Sequence, residues 1–480
     1  MSANTFVVLV TGANSGIGFA ICCRLIDEFL ATREATEKLC LIPTTRSQEK
    51  AEATVLRLQK HLEKFCQDVE KAEPGVAAQL KSRVVFEPEL LDLCNILSVQ
   101  RAAKRLRRKY ARIDSAILNA GIGGWVGIDW VKAITQFFTQ GMKFVTRPEY
   151  KIGSVGERSP VQFPRASDNE EANEANGKGD ARKEPEMGAV FTANVFGHYL
   201  LVHYLMPLLS RPAGQEAGRV IWVGTLEAYK HTFSLDDFQG MRTSMAYESS
   251  KRLTDLLVMT ANAPTSKPYT TSFFALDSTE PPSFASSTSL EEDLTPRKAS
   301  LRASTRARSS TPNGRLGSRS SSPRRGSASS SSMTPPEMYS THPGMVVTDI
   351  IALPHWLLIW AWTAVFYIAR WCGSPWHNTQ PYSGATAMTH LALAPKEQLD
   401  KFARGNASDI KWGSATNWRG NERVKITEVE GLYNDKGVPY SDEEREKFFQ
   451  LGREVWKRME DLRTEWENRL KDAGFDEGLA

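Results

Sequence analysis

Thr11-Gly-Ala-Asn-Ser-Gly-Ile-Gly18 constrains this chain more than any other segment. Before it runs Phe6-Val-Val-Leu-Val10, an apolar stretch that reads as a buried parallel strand. After it, from Gly16, apolar residues recur at helical spacing through Ile17, Ala20, Ile21 and Leu25. Strand, glycine turn and helix in that order predict a phosphate cradle. The glycines permit a tight turn and a close approach of backbone to ligand, and the helix N-terminus favours the charge of a pyrophosphate. Gly12, Asn14, Ser15, Gly16, Ile17 and Gly18 are therefore the expected lining of a dinucleotide site.

The pattern then repeats. Leu39 to Ile42, Val84 to Phe86, Ile113 to Leu118, Val220 to Val223 and Tyr339 to His342 read as further strands. Amphipathic helices fall between them over Gln48 to Phe65, Ile96 to Tyr110, Phe191 to Leu209 and Tyr247 to Met259. Such alternation predicts an α/β fold, a Rossmann-type doubly wound parallel sheet with right-handed crossovers. Two stretches break it. Residues 156–187 and 264–335 are poor in aliphatics; the second is rich in Ser, Thr and Pro, with many Arg and no acidic residue between Arg297 and Arg325. Both read as disordered insertions, the second either a plain surface loop or a target for phosphorylation or anionic lipid. The expected organisation is a nucleotide-binding half over 1–155, a catalytic half over 188–263, and a sixth strand with a Pro-Gly segment over 336–349. An apolar lid over 350–380, the end of the Rossmann domain over 381–420 and a helical extension over 421–480 follow.

Thr44-Thr-Arg-Ser47 follows the second strand, where a carboxylate would suit the ribose hydroxyls of NAD; Arg46 instead suits the 2′-phosphate of NADP. Tyr247 and Lys251 stand at i and i+4 on one helix face. A lone phenol is a poor acid–base catalyst near neutrality, and a neighbouring ammonium together with a cationic cofactor brings it closer to range. The T-G-x-x-x-G-x-G turn, Asn119-Ala-Gly121 and Tyr247-Glu-Ser-Ser-Lys251 together resemble the short-chain dehydrogenase/reductase family. That resemblance implies an adenine contact for Asp92, a cofactor-lining role for Asn119, and a nicotinamide contact through Val346 and Thr348 after His342-Pro-Gly344. It implies for Thr225 the place of the usual substrate-binding serine, 22 residues before Tyr247. It also makes Asn194 either the anchor of a proton-relay water or a helix cap or kink. The expected catalytic set is Asn194, Thr225, Tyr247 and Lys251.

Between Asp349 and Arg370 no residue is charged. A single crossing would put two halves of one domain on opposite sides of a bilayer, so the expectation is a lid embedded from one side. Pro354 would help it, with Trp356, Trp360, Trp362 and Tyr367 near the interface; a buried core helix is the other reading. Because ligands in such sheets lie beyond the carboxyl ends of the strands, a lid at this place suggests a lipid ketone as substrate. Ser441-Asp-Glu-Glu444 is a capping box before a helix with Phe448, Leu451, Val455, Met459, Leu462 and Trp466 on one face. That face fits either the chain's own core or a partner protein.

A formal net charge of +4 is too small a surplus to argue for nucleic acid, no nucleic-acid partner is expected, and the six cysteines show no metal spacing. Most of these cysteines fall in apolar helix or strand patterns where reduced thiols pack as small hydrophobes, which suggests a catalytic part facing the cytosol, and no secretory signal is read in the opening residues. Thr44-Thr-Arg46, Asn119-Ala-Gly-Ile-Gly-Gly-Trp125, Ala193-Asn-Val-Phe-Gly-His-Tyr199, Gly373-Ser-Pro-Trp-His377 and Gly431-Leu-Tyr-Asn-Asp-Lys-Gly437 resemble, more narrowly, the fungal 3-keto-steroid reductase family of sterol C-4 demethylation. The likeness implies NADPH-dependent reduction of a sterol 3-ketone to the 3β-alcohol at the endoplasmic reticulum membrane and lipid droplets, among other sterol-biosynthetic enzymes. A 17-ketosteroid or retinoid reductase, or a scaffold for sterol enzymes, stays open beside it.

Overall fold

The computed structural model describes residues 4–140, 150–160, 162, 184–276, 333–347 and 356–475. Strand β1 (Thr5–Val10) leads through the glycine turn into helix α1 (Gly16–Thr32), and β2 (Lys38–Thr45) into α2 (Gln48–Ala72). Ser47 starts α2 by accepting a hydrogen bond from the Lys50 amide, and the helix runs seven residues beyond the expected Phe65. Then come β3 (Val84–Phe86), α3 (Ile96–Lys109), β4 (Ser115–Leu118), α4 (Gly197–Tyr204), β5 (Arg219–Val223) and α5 (Ala246–Thr260). Next are α6 (Lys267–Phe273), β6 (Glu337–His342), α7 (Trp356–Trp371), α8 (Thr386–Leu393), β7 (Lys411–Thr416), β8 (Glu422–Thr427) and α9 (Asp442–Asp472). The sheet runs β3-β2-β1-β4-β5-β6-β7-β8, with the short Glu89–Leu90 strand also on β2. Every pair is parallel except β7–β8. One apolar layer packs Leu9, Leu118, Leu200, Trp222 and Leu256 on one face of the sheet, and another packs Val8, Ile21, Ile117, Met388 and Trp412 on the other.

The expected doubly wound sheet is present, with corrections at its margins. The extension over 421–480 is not wholly helical, because β8 pairs antiparallel with β7 and closes that edge. Its Glu422, Arg423 and Lys425 put charges along the sheet edge, which discourages further pairing. Within 264–335, α6 is ordered: Phe273 is fully buried against Tyr199 and Trp456, with ring centroids 4.3 and 5.2 Å away. Residues 277–332, with the Arg/Ser-rich run, lie outside the described residues. At the start of 156–187, Gln162 is buried and its Oε1 accepts from the Ile96 amide, capping α3; residues 163–183 lie outside.

Helix α9 settles the choice between core and partner. Phe448, Val455, Met459 and Trp466 are buried in the chain's own core. Trp456 Nε1 donates to the Leu257 carbonyl at 3.2 Å, and Tyr199 donates to Glu460 Oε1 at 2.6 Å. Ser441 caps the helix as expected, its Oγ accepting from the Glu444 amide at 3.3 Å, while the Glu444 carboxylate accepts from the Ser441 hydroxyl at 3.0 Å in place of the backbone amide of a full capping box. The lid of 350–380 also narrows: residues 348–355 lie outside the described residues, and His377–Thr379 returns to the body as a strand beside Met345–Val346. Asn378 holds it there, donating to the Pro343 and Ser414 carbonyls at 2.6 and 2.8 Å. Among the described residues no helix is long and apolar enough to cross a membrane. The side chains of Trp356 and Trp362 lie outside the description, Trp360 is exposed, and Tyr367 is half-buried beneath the Arg370 guanidinium at 4.6 Å.

Candidate active site

Strand order reverses about β1, whose neighbours are β2 and β4, and a crevice of about 450 Å³ opens beyond the carboxyl ends there. Gly12, Asn14, Ser15, Gly16, Ile17 and Gly18 line it, as expected. Two glycines are required by contact. Gly12 has φ +66° and its backbone abuts Ala120, where an added Cβ would lie 2.8 Å from the Ala120 Cα; a Cβ on Gly18 would lie 2.2 Å from the Gly12 carbonyl and 2.5 Å from Asn119 Nδ2. Asn119 ties the two turns together by donating to the Thr11 carbonyl at 3.0 Å, while the Asn119 and Ala120 amides both donate to Thr11 Oγ1 at 2.9 Å. That hydroxyl also meets His198 Nε2 at 2.9 Å; burial pushes the imidazole down to about 3 and keeps it neutral, and because Nδ1 donates to the Asn194 carbonyl at 3.3 Å, Nε2 accepts from Thr11.

Arg46 is exposed on the rim just past β2, and Asp92 lines the crevice after the short strand that pairs with the end of β2, its Oδ1 accepting from the Cys94 amide at 3.0 Å. Val346 lines the far end; Thr348 lies outside the described residues. The backbone cradle and a cationic rim fit a dinucleotide carrying an extra phosphate.

Tyr247 and Lys251 project into the same crevice from the first turns of α5. The Lys251 ammonium donates to the Val223 carbonyl at 2.8 Å and stands 5.7 Å from the Tyr247 ring centroid. Burial pushes Lys251 down to about 8; Asp255 opposes that fall and Lys411 adds to it. Thr225, two residues past β5, lines the crevice with Tyr247, near enough for its hydroxyl to favour the ionised phenol, and so stands where the sequence placed it. Asn194 sits in a π-helical turn (Thr192–Phe196), the expected kink. Its side chain accepts from the Ile122 amide at 2.8 Å and donates to the Ile122 carbonyl and Ser250 Oγ at 3.0 and 3.1 Å, bracing the turn after β4 against α5.

The phenol's surroundings differ from the simple pair expected. Burial raises Tyr247 well above its ordinary value, and Glu227 and Glu248 raise it further, with the Thr225 hydroxyl opposing. Sequence motifs pointed to neither carboxylate, nor to Tyr150, Lys151 and Phe366, which share the crevice lining with Glu227. Glu227 lies two residues past Thr225, the one positional signal available. Lys151 is brought in by a hairpin of Trp125–Ile128 with Lys151–Gly153, inside a stretch with no family motif.

A parallel sheet reversing about β1, the glycine turn, and a Tyr–Lys pair beside the end of β5 define a short-chain dehydrogenase/reductase. No family model matches the chain. It is 37% identical to the 3-keto-steroid reductase erg27 of Aspergillus fumigatus, over 98% of this chain and 96% of that one. It is 36% identical to the 3-keto-steroid reductase ERG27 of Gibberella zeae, over 96% and 94%. With ERG27 of Saccharomyces cerevisiae the identity is 24%, over 98% and 97%. A solved short-chain type dehydrogenase/reductase from Mycobacterium ulcerans overlaps at TM-score 0.36 and 12% identity, covering 82% of this chain and 84% of that one; the strand order, not this overlap, defines the fold. The chain belongs to the fungal 3-keto-steroid reductase family.

Proposed function

We propose that the chain reduces a sterol 3-ketone to the 3β-hydroxysterol with NADPH during C-4 demethylation in ergosterol formation. The observation that carries this reading is the meeting of Tyr247, Thr225 and Lys251 in the crevice that the glycine turn opens. NADPH, when bound, supplies the hydride. Gly12, Asn14, Ser15, Gly16, Ile17 and Gly18 would hold its pyrophosphate, Arg46 its 2′-phosphate and Asp92 its adenosine side, while Asn119 and Val346 would border the nicotinamide half. Thr225 Oγ1 and the Tyr247 hydroxyl hold the ketone oxygen, Tyr247 gives it a proton, and the Lys251 ammonium lowers the cost of the phenolate left behind. Asn194, braced between Ile122 and Ser250, borders the route by which a proton returns to Tyr247.

Helix α7 supports a lipid substrate. Phe366 faces the crevice, while Trp360, Ile368 and Trp371 on the same helix are exposed. One helix thus offers an apolar wall inside and aromatic anchors outside, which suits an enzyme lying on the endoplasmic reticulum membrane or a lipid droplet with its catalytic body in the cytosol. Other sterol-biosynthetic enzymes are proposed neighbours there, through surfaces other than the occupied face of α9.

The test is direct: the purified protein in detergent, given NADPH, should convert a 4-methyl-3-ketosterol to its 3β-alcohol faster than it converts a 17-ketosteroid or a retinoid. No sterol turnover would end this reading. For Arg46→Ala, the loss of a charge-assisted phosphate contact should raise KM for NADPH roughly 10- to 100-fold, and KM for NADH should stay within about threefold. Equal changes for both cofactors would show that Arg46 does not read the 2′-phosphate.

A further inference from the structure

The hairpin that carries Lys151 is clamped onto the start of the catalytic helix. Gly153 passes so close to Ser244, two residues before α5, that an added Cβ would lie 2.0 Å from the Ser244 carbonyl. The Ser154 amide donates to Gly124 at 2.7 Å and the Gly156 amide to Met241 at 2.8 Å. Lys151 is thereby delivered into a buried ion cluster. Its ammonium lies 2.5 Å from Glu227 Oε2 and 3.0 Å from Glu248 Oε1, and the three side chains are 5%, 7% and 4% exposed. It also lies 4.2 Å from the Trp125 ring centroid and 5.6 Å from that of Tyr247, nearly the distance at which Lys251 stands from the same phenol. Trp125 and Tyr247 pack at 4.8 Å. The groups that set charge around Tyr247 are therefore Lys251 and Glu248 on its own helix, Glu227 after β5, and Lys151 from the hairpin. Tyr150 stands beside Glu227, and Asp255 and Lys411 lie behind Lys251.

We propose that Lys151 is a positioning residue for proton transfer: bridging Glu227 and Glu248, it offsets the two carboxylates beside Tyr247 and, lying across the rings of Trp125 and Tyr247, holds the phenol in place. This rests on the reading of Tyr247 as proton donor. Without the ammonium, two buried negative charges disfavour a third on the phenol, so ionisation of Tyr247 moves to higher pH. Burial and Glu248 already hold the Glu227 carboxyl above its usual range against the pull of Lys151.

The test uses the full chain with ¹³C-labelled tyrosine, the Tyr247 signal assigned from Tyr247→Phe, alongside the pH profile of kcat for ketosterol reduction and for the reverse oxidation. Lys151→Met should move the Tyr247 midpoint and the kcat limbs up by about one pH unit, with Lys151→Arg restoring both. Glu227→Gln, which keeps the Lys151–Glu248 pair and so does not strand a charge, should move both down. Adding it to Lys151→Met should bring the midpoint back toward wild type. A Tyr247 midpoint unmoved by Lys151→Met and Glu227→Gln, or a loss of rate equal at every pH, overturns the role of Lys151 and leaves Tyr247 as donor. A midpoint that moves while the kcat profile stays put supports the Lys151 coupling and overturns Tyr247 as donor instead.

Discussion

Tyr247→Phe should lower kcat for ketosterol reduction by roughly 10²–10⁴-fold while leaving KM for NADPH within about threefold, the range expected when one positioned acid is removed. The change is narrow by construction. Phenylalanine keeps the ring that packs on Trp125 at 4.8 Å and stays in the first turn of α5. What disappears is the hydroxyl that shares the crevice with Thr225. If more than about a tenth of kcat survives, the proton comes from elsewhere, and the general-acid assignment fails. The same variant separates enzyme from scaffold: a strain that carries it and still makes normal sterols needs the chain for assembly rather than for chemistry. Thr225→Ala should cost less, because Tyr247 keeps its proton and only the second holder of the ketone oxygen is lost. Thr225→Ser should restore most of the rate.

What could be read in the sequence divides along a physical line. Features that rest on local spacing came through: the glycine turn, the i, i+4 pair on α5, the N-cap at Ser441, and the apolar strands of a sheet covered on both faces. Features that need distant segments to meet did not. Nothing near Lys151 announces that a hairpin will carry it to Tyr247, roughly a hundred residues onward, and Glu227 and Glu248 look like ordinary surface acids until folding buries them. Composition misled at α6. Lys-Pro-Tyr-Thr-Thr-Ser-Phe273 merges into a Ser/Thr/Pro-rich run, yet a single aromatic, Phe273, finds a slot between Tyr199 and Trp456 and brings the segment into the core. Period misled less at β8, whose alternation was present but sat beside a long helix with a stronger signal.

Lys411→Met should destabilise the chain by about 3–5 kcal/mol, the cost of stranding a charge in a buried pair, seen as a lower denaturant midpoint. Lys411 lies on β7 and Asp255 on α5, and both side chains are 2% exposed with Nζ 2.6 Å from Oδ2. Ser340 donates to the other carboxylate oxygen at 2.9 Å, so after the substitution Asp255 keeps one partner for a full buried charge. Asp255→Leu should cost a similar amount by leaving Lys411 unpaired. The double variant, Lys411→Met with Asp255→Leu, should recover most of the loss, because apolar side chains in place of an intact pair escape the desolvation that makes either single change costly. Stability and catalysis should then part company. Lys411 Nζ also donates to the Thr225 carbonyl at 2.8 Å, holding the end of β5 where Thr225 meets Tyr247. The double variant therefore regains its fold without regaining that brace, and its kcat should stay depressed while its midpoint returns. Single substitutions costing under about 1 kcal/mol would place the pair among solvated ones and remove this account. A double variant that recovers rate together with stability would show that Thr225 needs no help from β7, and that the pair serves the fold alone.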